Sequence, residues 1–103
     1  MTEKFSQSAI DISLKELNIN SIQQWRIKED KLYREFKFSD FVSAFDFMTK
    51  VAKLAEKANH HPEWSNVYNS VVVNLTTYEV SGLSKKDFDL AKEISKLILQ
   101  DVK

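Results

Sequence analysis

No cysteine occurs among the 103 residues, which excludes disulfides, thiolate metal sites and thiol nucleophiles together. An intracellular compartment is the natural expectation for such a chain. Net charge is missing as well. Fifteen Lys and Arg balance fifteen Asp and Glu, so no overall field draws the chain to nucleic acid, an anionic membrane or an acidic substrate. No direct nucleic-acid partner and no membrane partner are expected. Gly82 and Pro62 are the single glycine and the single proline. With no Ser-rich or charge-block linker beside them, residues 1–103 read as a single domain without repeats. No stretch approaches the ~18 apolar residues of a membrane span. The start, MTEKFSQS, lacks the basic and apolar regions of a signal peptide. A cytoplasmic protein is expected.

What the chain does have is apolar bulk. Hydrophobic residues make up 43%, with seven Phe, three Tyr and two Trp, which argues for a packed globule rather than a disordered segment. A chain of this length can bury roughly two-thirds of its unfolded surface around one core.

Periodicity then orders the elements. Ser8 is a candidate cap for a first helix with Ile10, Leu14 and Leu17 on one side and an exit at Asn18 to Asn20. A hairpin is predicted next. Trp25 and Ile27 alternate with polar residues, Glu29-Asp30 suits a turn, and Leu32, Arg34, Phe36 and Phe38 follow at period two. Ser39 as cap and Asp40 in the first turn open a second helix of about five turns, which ends near Asn59 because Pro62 cannot continue it. This helix carries two apolar stripes side by side. One is Phe41, Phe45, Met48, Ala52 and Ala55; the other is Ala44, Phe47, Val51, Leu54 and Ala58. So wide an arc predicts that Ala44, Phe47, Val51 and Leu54 meet another subunit in a homodimer or homotetramer. The alternative is that the first and third helices cover it.

Trp64 opens a further strand-like stretch, Asn66 to Asn69 is the predicted turn, and Val71, Val73 and Leu75 alternate as a half-buried strand would. Gly82 breaks the chain. Ser84-Lys85-Lys86-Asp87 then resembles a capping box, starting a last helix with Phe88, Ala91, Ile94 and Ile98 inward. The order is α-β-β-α-β-β-α. It predicts an α+β fold, a four-stranded antiparallel sheet with three helices on one face.

Both histidines adjoin the only proline, at His60-His61-Pro62, with Glu63 and Trp64 directly after. Imidazole titrates nearest neutrality of all side chains, so a His pair can supply an acid and a base together. Glu56 lies four residues before His60, on the same face if the helix persists. The plain structural reading is that two histidines close a helix and Pro62 stops it. Adjacent histidines diverge, and with no Cys and no third His a metal site is not supported. No metal and no cofactor are expected.

The segments Glu56-Lys57-Ala58-Asn59-His60-His61-Pro62-Glu63-Trp64, Asn66-Val67-Tyr68-Asn69, Leu75-Thr76-Thr77 and Gly82-Leu83-Ser84-Lys85-Lys86-Asp87 closely resemble pterin-4a-carbinolamine dehydratases. The resemblance spans about residues 10–98 and includes Phe36-Lys37-Phe38-Ser39-Asp40-Phe41 upstream. It implies dehydration of 4a-hydroxytetrahydropterin to quinonoid dihydropterin, a tetrahydrobiopterin-recycling step that needs no metal or prosthetic group. On that likeness His60 and His61 are the catalytic pair, with Glu56 orienting or charging His60. Trp64 with Pro62 walls the pterin, while Thr76, Thr77, Tyr78 and Asp87 frame it. Tyr78 departs from the family, which mostly has His there. A phenol hydrogen-bonds but is seldom charged at neutral pH. The likeness therefore also admits a slow or inactive relative that acts as a pterin-binding or protein-dimerisation module.

Overall fold

The computed structural model describes residues 2–19, 21 and 23–101, and of residues 99–101 the backbone alone. Four antiparallel strands form one sheet in the order β1-β2-β4-β3, and three helices lie against it. The α-β-β-α-β-β-α order expected from the sequence is the order found. No helix among the described residues is long and apolar enough to cross a membrane.

The first helix, α1 (Gln7–Leu17), is capped by Ser6, whose Oγ accepts the Ala9 N–H at 3.1 Å. Ser8 was the expected cap, but Ser6 holds the extended backbone that a cap requires and stands three residues before the N–H it receives. Ile10, Leu14 and Leu17 pack on the core as expected. Asn18 ends the helix, and its side chain pairs with the Trp25 backbone, donating to the carbonyl at 2.8 Å and accepting the N–H at 2.9 Å. The exit residue Asn20 lies outside the described residues.

The hairpin joins β1 (Arg26–Lys28) to β2 (Lys31–Lys37) through Glu29 and Asp30. Both turn residues have positive φ, 52° and 65°, the backbone that a tight two-residue hairpin demands. Strand β2 sends Leu32, Arg34 and Phe36 to the helix side. Arg34 is 8% exposed, with its guanidinium 4.4 Å from the centre of the Phe36 ring. Burial lowers its pKa from the usual value.

Helix α2 (Phe41–Ala58) is capped by Asp40 rather than Ser39: its carboxylate accepts the Ser43 N–H at 2.8 Å. That hydrogen bond holds the Asp40 carboxyl below its ordinary pKa. The broad apolar arc is divided otherwise than expected. Ala44, Phe47 and Val51 are at most 2% exposed within the single chain, and Phe47 packs on Phe36 with ring centres 4.7 Å apart. Leu54 packs against the same core. Ala44, Phe47 and Val51 are therefore taken up by the chain's own sheet and helices rather than by another subunit, whereas Leu54 is only half-buried. The large outward apolar residues of this helix are Phe41, Val42 and Phe45.

Strands β3 (Glu63–Val67) and β4 (Ser70–Leu75) turn at Tyr68 and Asn69. The turn is shorter than the predicted Asn66 to Asn69, because the Asn66 side chain stays in the strand and donates to the carbonyls of Tyr68 and Ser70 at 3.0 and 2.9 Å. The register sets Leu32 beside Leu75, Arg34 beside Val73 and Phe36 beside Val71. One sheet face thus meets α2 and the last helix, α3 (Lys85–Asp101), through Phe88, Ala91 and Ile94, with Ile98 half-buried beside them. Burying Phe88 and Ile94 stabilises the fold by roughly 1.5–3 kcal/mol each relative to leaving them exposed.

Candidate active site

The site begins where α2 stops. Asn59 adopts the left-handed conformation, φ 52° and ψ 42°, which Asn tolerates better than most residues. Its N–H bonds the Glu56 carbonyl at 3.2 Å, and the His60 N–H bonds the Ala55 carbonyl at 3.0 Å. This crossed pair is the Schellman closure of a helix. It reverses the chain just before the histidines, and they separate.

His60 turns inward, where its Nε2 lies 2.7 Å from Asp87 Oδ1; the two side chains are 11% and 0% exposed. His61 turns outward, where its Nε2 lies 2.5 Å from Glu56 Oε2, with exposures of 55% and 77%. The expected pairing of Glu56 with His60 is corrected. One left-handed residue interrupts the helical rotation, so position 61 rather than 60 comes back over Glu56. Each imidazole has a carboxylate of its own.

Asp87 is the best-connected residue of the site. Its Oδ2 accepts the Ser84 N–H at 3.0 Å and the Thr77 hydroxyl at 2.7 Å. The Asp87 half of the capping box read from Ser84 and Asp87 is present, while the Ser84 hydroxyl takes the Lys86 N–H instead; the same Asp87 carboxylate reaches back to His60. Being fully buried, Asp87 supports the site from behind instead of presenting an oxygen to solvent. Thr77 is likewise buried at 1%, and its backbone pairs with Gly82 across a short bridge, Thr77 N–H to Gly82 O at 2.9 Å.

Between these bridge residues stands a single 3₁₀ turn, Tyr78–Val80. Tyr78 is 69% exposed. Glu79 is tied to Lys86 on α3 at 2.9 Å; that hydrogen bond and charge hold its carboxyl below the usual range, and His60 adds to the effect. Trp64 and Pro62 are half-buried, as is Thr76, whose hydroxyl donates to the Gly82 carbonyl at 3.4 Å. A cavity of about 380 Å³ opens between α2 and α3 over Leu54, Ala58 and Leu90, with Lys57 and Lys86 at its rim. Of the residues nominated from the sequence, His60 alone lines it.

The fold thus joins His60 to Asp87 and Thr77, and His61 to Glu56. It leaves Tyr78 on the surface. Ser84 was read only as a helix start, and its contact with Thr77 across a seven-residue separation left no local sequence signal. Among the described residues no group of three or more His, Cys, Asp or Glu is placed to hold a metal ion.

Residues 3–97 match the family model described as Pterin 4 alpha carbinolamine dehydratase. A relative in Solibacter usitatus (strain Ellin6076), named for that dehydratase, is 46% identical over 97 residues, covering 94% of this chain and 97% of its own. Another, in Prochlorococcus marinus (strain MIT 9313), is 53% identical over 73 residues, 71% of this chain and 76% of its own. The crystal structure of a transcriptional coactivator/pterin dehydratase from Brucella melitensis superposes with a TM-score of 0.83 at 34% identity, covering 92% of this chain and 98% of that one.

Proposed function

Because this chain belongs to the pterin-4a-carbinolamine dehydratase family, we propose that His60 and His61 carry out its hydro-lyase reaction, dehydrating 4a-hydroxytetrahydropterin to quinonoid dihydropterin. The observation that carries this reading is the pair of adjacent imidazoles, each seated on a separate carboxylate. The carbinolamine loses its C4a hydroxyl as water and a proton from a ring nitrogen. An acid must reach the departing oxygen while a base takes the nitrogen's proton. Two imidazoles on consecutive residues span such a pair of sites, and imidazole changes protonation state at little cost near neutrality.

The neighbouring residues take supporting roles. Asp87 and Glu56 each orient one ring. Trp64 and Pro62 supply an apolar wall for the flat pterin, and Thr76 and Tyr78 hydrogen-bond its edge. The chemistry asks nothing of a metal, since proton transfer alone completes it. A pterin-dehydration assay on the purified protein tests the assignment: acceleration over the spontaneous reaction is expected, and a rate equal to the blank would refute it.

The finer setting follows the same reading. The protein acts in the cytoplasm in tetrahydrobiopterin recycling. It associates as a homodimer or homotetramer through the exposed Phe41, Val42 and Phe45, which are 48%, 74% and 55% accessible on the single chain. Light scattering at micromolar concentration should show a species heavier than the 12.0 kDa chain.

A further inference from the structure

Two buried hydroxyls behind His60 have no part in the acid–base scheme. Thr77 and Ser84 are 1% and 0% exposed, and their side-chain oxygens lie 2.7 Å apart. Thr77 Oγ1 is also 2.7 Å from Asp87 Oδ2. Ser84 Oγ lies 3.2 Å from the Lys86 backbone nitrogen.

Donor counting orders these contacts. A hydroxyl has one proton to give and two lone pairs to accept with. Asp87 Oδ2 already receives the Ser84 N–H at 3.0 Å, and Thr77 gives its proton to the same oxygen. The proton shared by the two hydroxyls must then come from Ser84, whose oxygen accepts from the Lys86 N–H. The result is a directed chain: Lys86 N–H to Ser84, Ser84 to Thr77, Thr77 to Asp87. Reversing it would leave the Ser84 proton without a buried acceptor, at a cost of about 1–3 kcal/mol.

Asp87 is therefore surrounded by donors on Oδ2, and Oδ1 faces His60 at 2.7 Å. A carboxylate already fed by two donors on Oδ2 has acceptor capacity to offer on Oδ1, so the hydrogen between them is assigned to the ring. We propose that Thr77 and Ser84 are positioning residues: their hydroxyl relay holds Asp87 as a pure acceptor and locks His60 in the Nε2–H tautomer. Nδ1 is then the His60 atom that exchanges a proton with the substrate. His61 has no such lock, because its partner Glu56 is open to water. The identity of the substrate rests on the dehydratase reading; the tautomer does not.

Long-range proton–nitrogen NMR of the labelled wild-type protein, at a pH where both rings are neutral, reads the tautomers directly. His60 should appear as Nε2–H alone and His61 as a mixture. A His60 protonated on Nδ1 would overturn the relay, and no variant is needed to see it. Thr77→Val removes the relayed proton at nearly constant volume. It should give His60 mixed tautomers and lower kcat by roughly tenfold, as losing the support behind a contact residue does, with KM little changed; Thr77→Ser should restore both. A folded Thr77→Val protein with an unchanged His60 spectrum and unchanged kcat would also overturn the proposal. Because the spectrum is read whether or not a pterin turns over, failure of the relay and failure of the substrate assignment are distinguished.

Discussion

Two imidazole–carboxylate pairs stand one residue apart in sequence and face opposite physical worlds. His60 and Asp87 meet at 2.7 Å with side-chain exposures of 11% and 0%; His61 and Glu56 meet at 2.5 Å with exposures of 55% and 77%. Water and salt screen the outer pair, and its long Glu side chain gives up rotamer freedom to hold one geometry. The inner pair is far less screened, and there Asp87 also carries the Ser84 N–H and the Thr77 hydroxyl. The same two functional groups thus serve as a structural keystone in one place and as an adjustable surface group in the other. Adjacent histidines need not share an environment, and their substitutions need not cost the same.

The largest contrast is expected at the carboxylates. Asp87→Ala strips the partner from one imidazole, one hydroxyl and one helix-start N–H, and should lower stability by about 3 kcal/mol or more, as breaking a buried pair from one side does. Glu56→Ala should leave stability nearly unchanged. Urea denaturation of both variants measures the difference, and equal midpoints would erase the distinction between the pairs.

At the imidazoles the contrast is between activity and stability. His60→Ala and His61→Ala should each lower kcat by on the order of 10². Only His60→Ala should also lower the melting temperature, because its ring is the buried one. If His61→Ala unfolds the protein as readily, the outer histidine is a helix-closing group and the acid–base role fails.

A smaller effect is expected at Tyr78, which is exposed on its own 3₁₀ turn and belongs to neither pair. Tyr78→Phe should raise KM a few-fold more than it lowers kcat, since a positioning contact contributes to binding. A Tyr78→His variant several-fold faster than the parent would instead show that a third proton-transfer group is wanted there. The smallest expected effect is none: a strong chelator should leave turnover unchanged. Loss of activity restored by zinc would require a ligand set that neither pair provides.

Much of this arrangement was readable in advance, because helix stripes and period-two strands report which side of each element is apolar. The element order followed from that reading, and the His60-His61-Pro62 cluster from the placing of both histidines beside the only proline. Caps were missed by one or two residues at Ser6 and Asp40, since neighbouring Ser8 and Ser39 are equally capable chemically and the backbone angles decide. The α2 arc was misassigned for a different reason. Periodicity locates an apolar face but does not count the layers that cover it, and Phe47 and Val51 are covered from within. The Glu56 partner was misplaced because a single left-handed residue, Asn59, shifts the rotation between helix and histidines. Asp87 reaching His60 across 27 positions is a product of the tertiary fold alone.

The Schellman closure at Asn59 also says how the site moves. The His60 amide is hydrogen-bonded to Ala55, inside the last turn of α2, so its hydrogen exchange should follow the opening of that turn rather than the solvent-driven exchange of a loop. Glu56 belongs to the same turn twice over, accepting Asn59 through its carbonyl and His61 through its carboxylate. One fraying event therefore frees the His61 ring and loosens the backbone that carries His60, whose ring stays tied to Asp87 on α3. The slowest backbone excursions of the two histidines are coupled, and their timescale is that of a helix end.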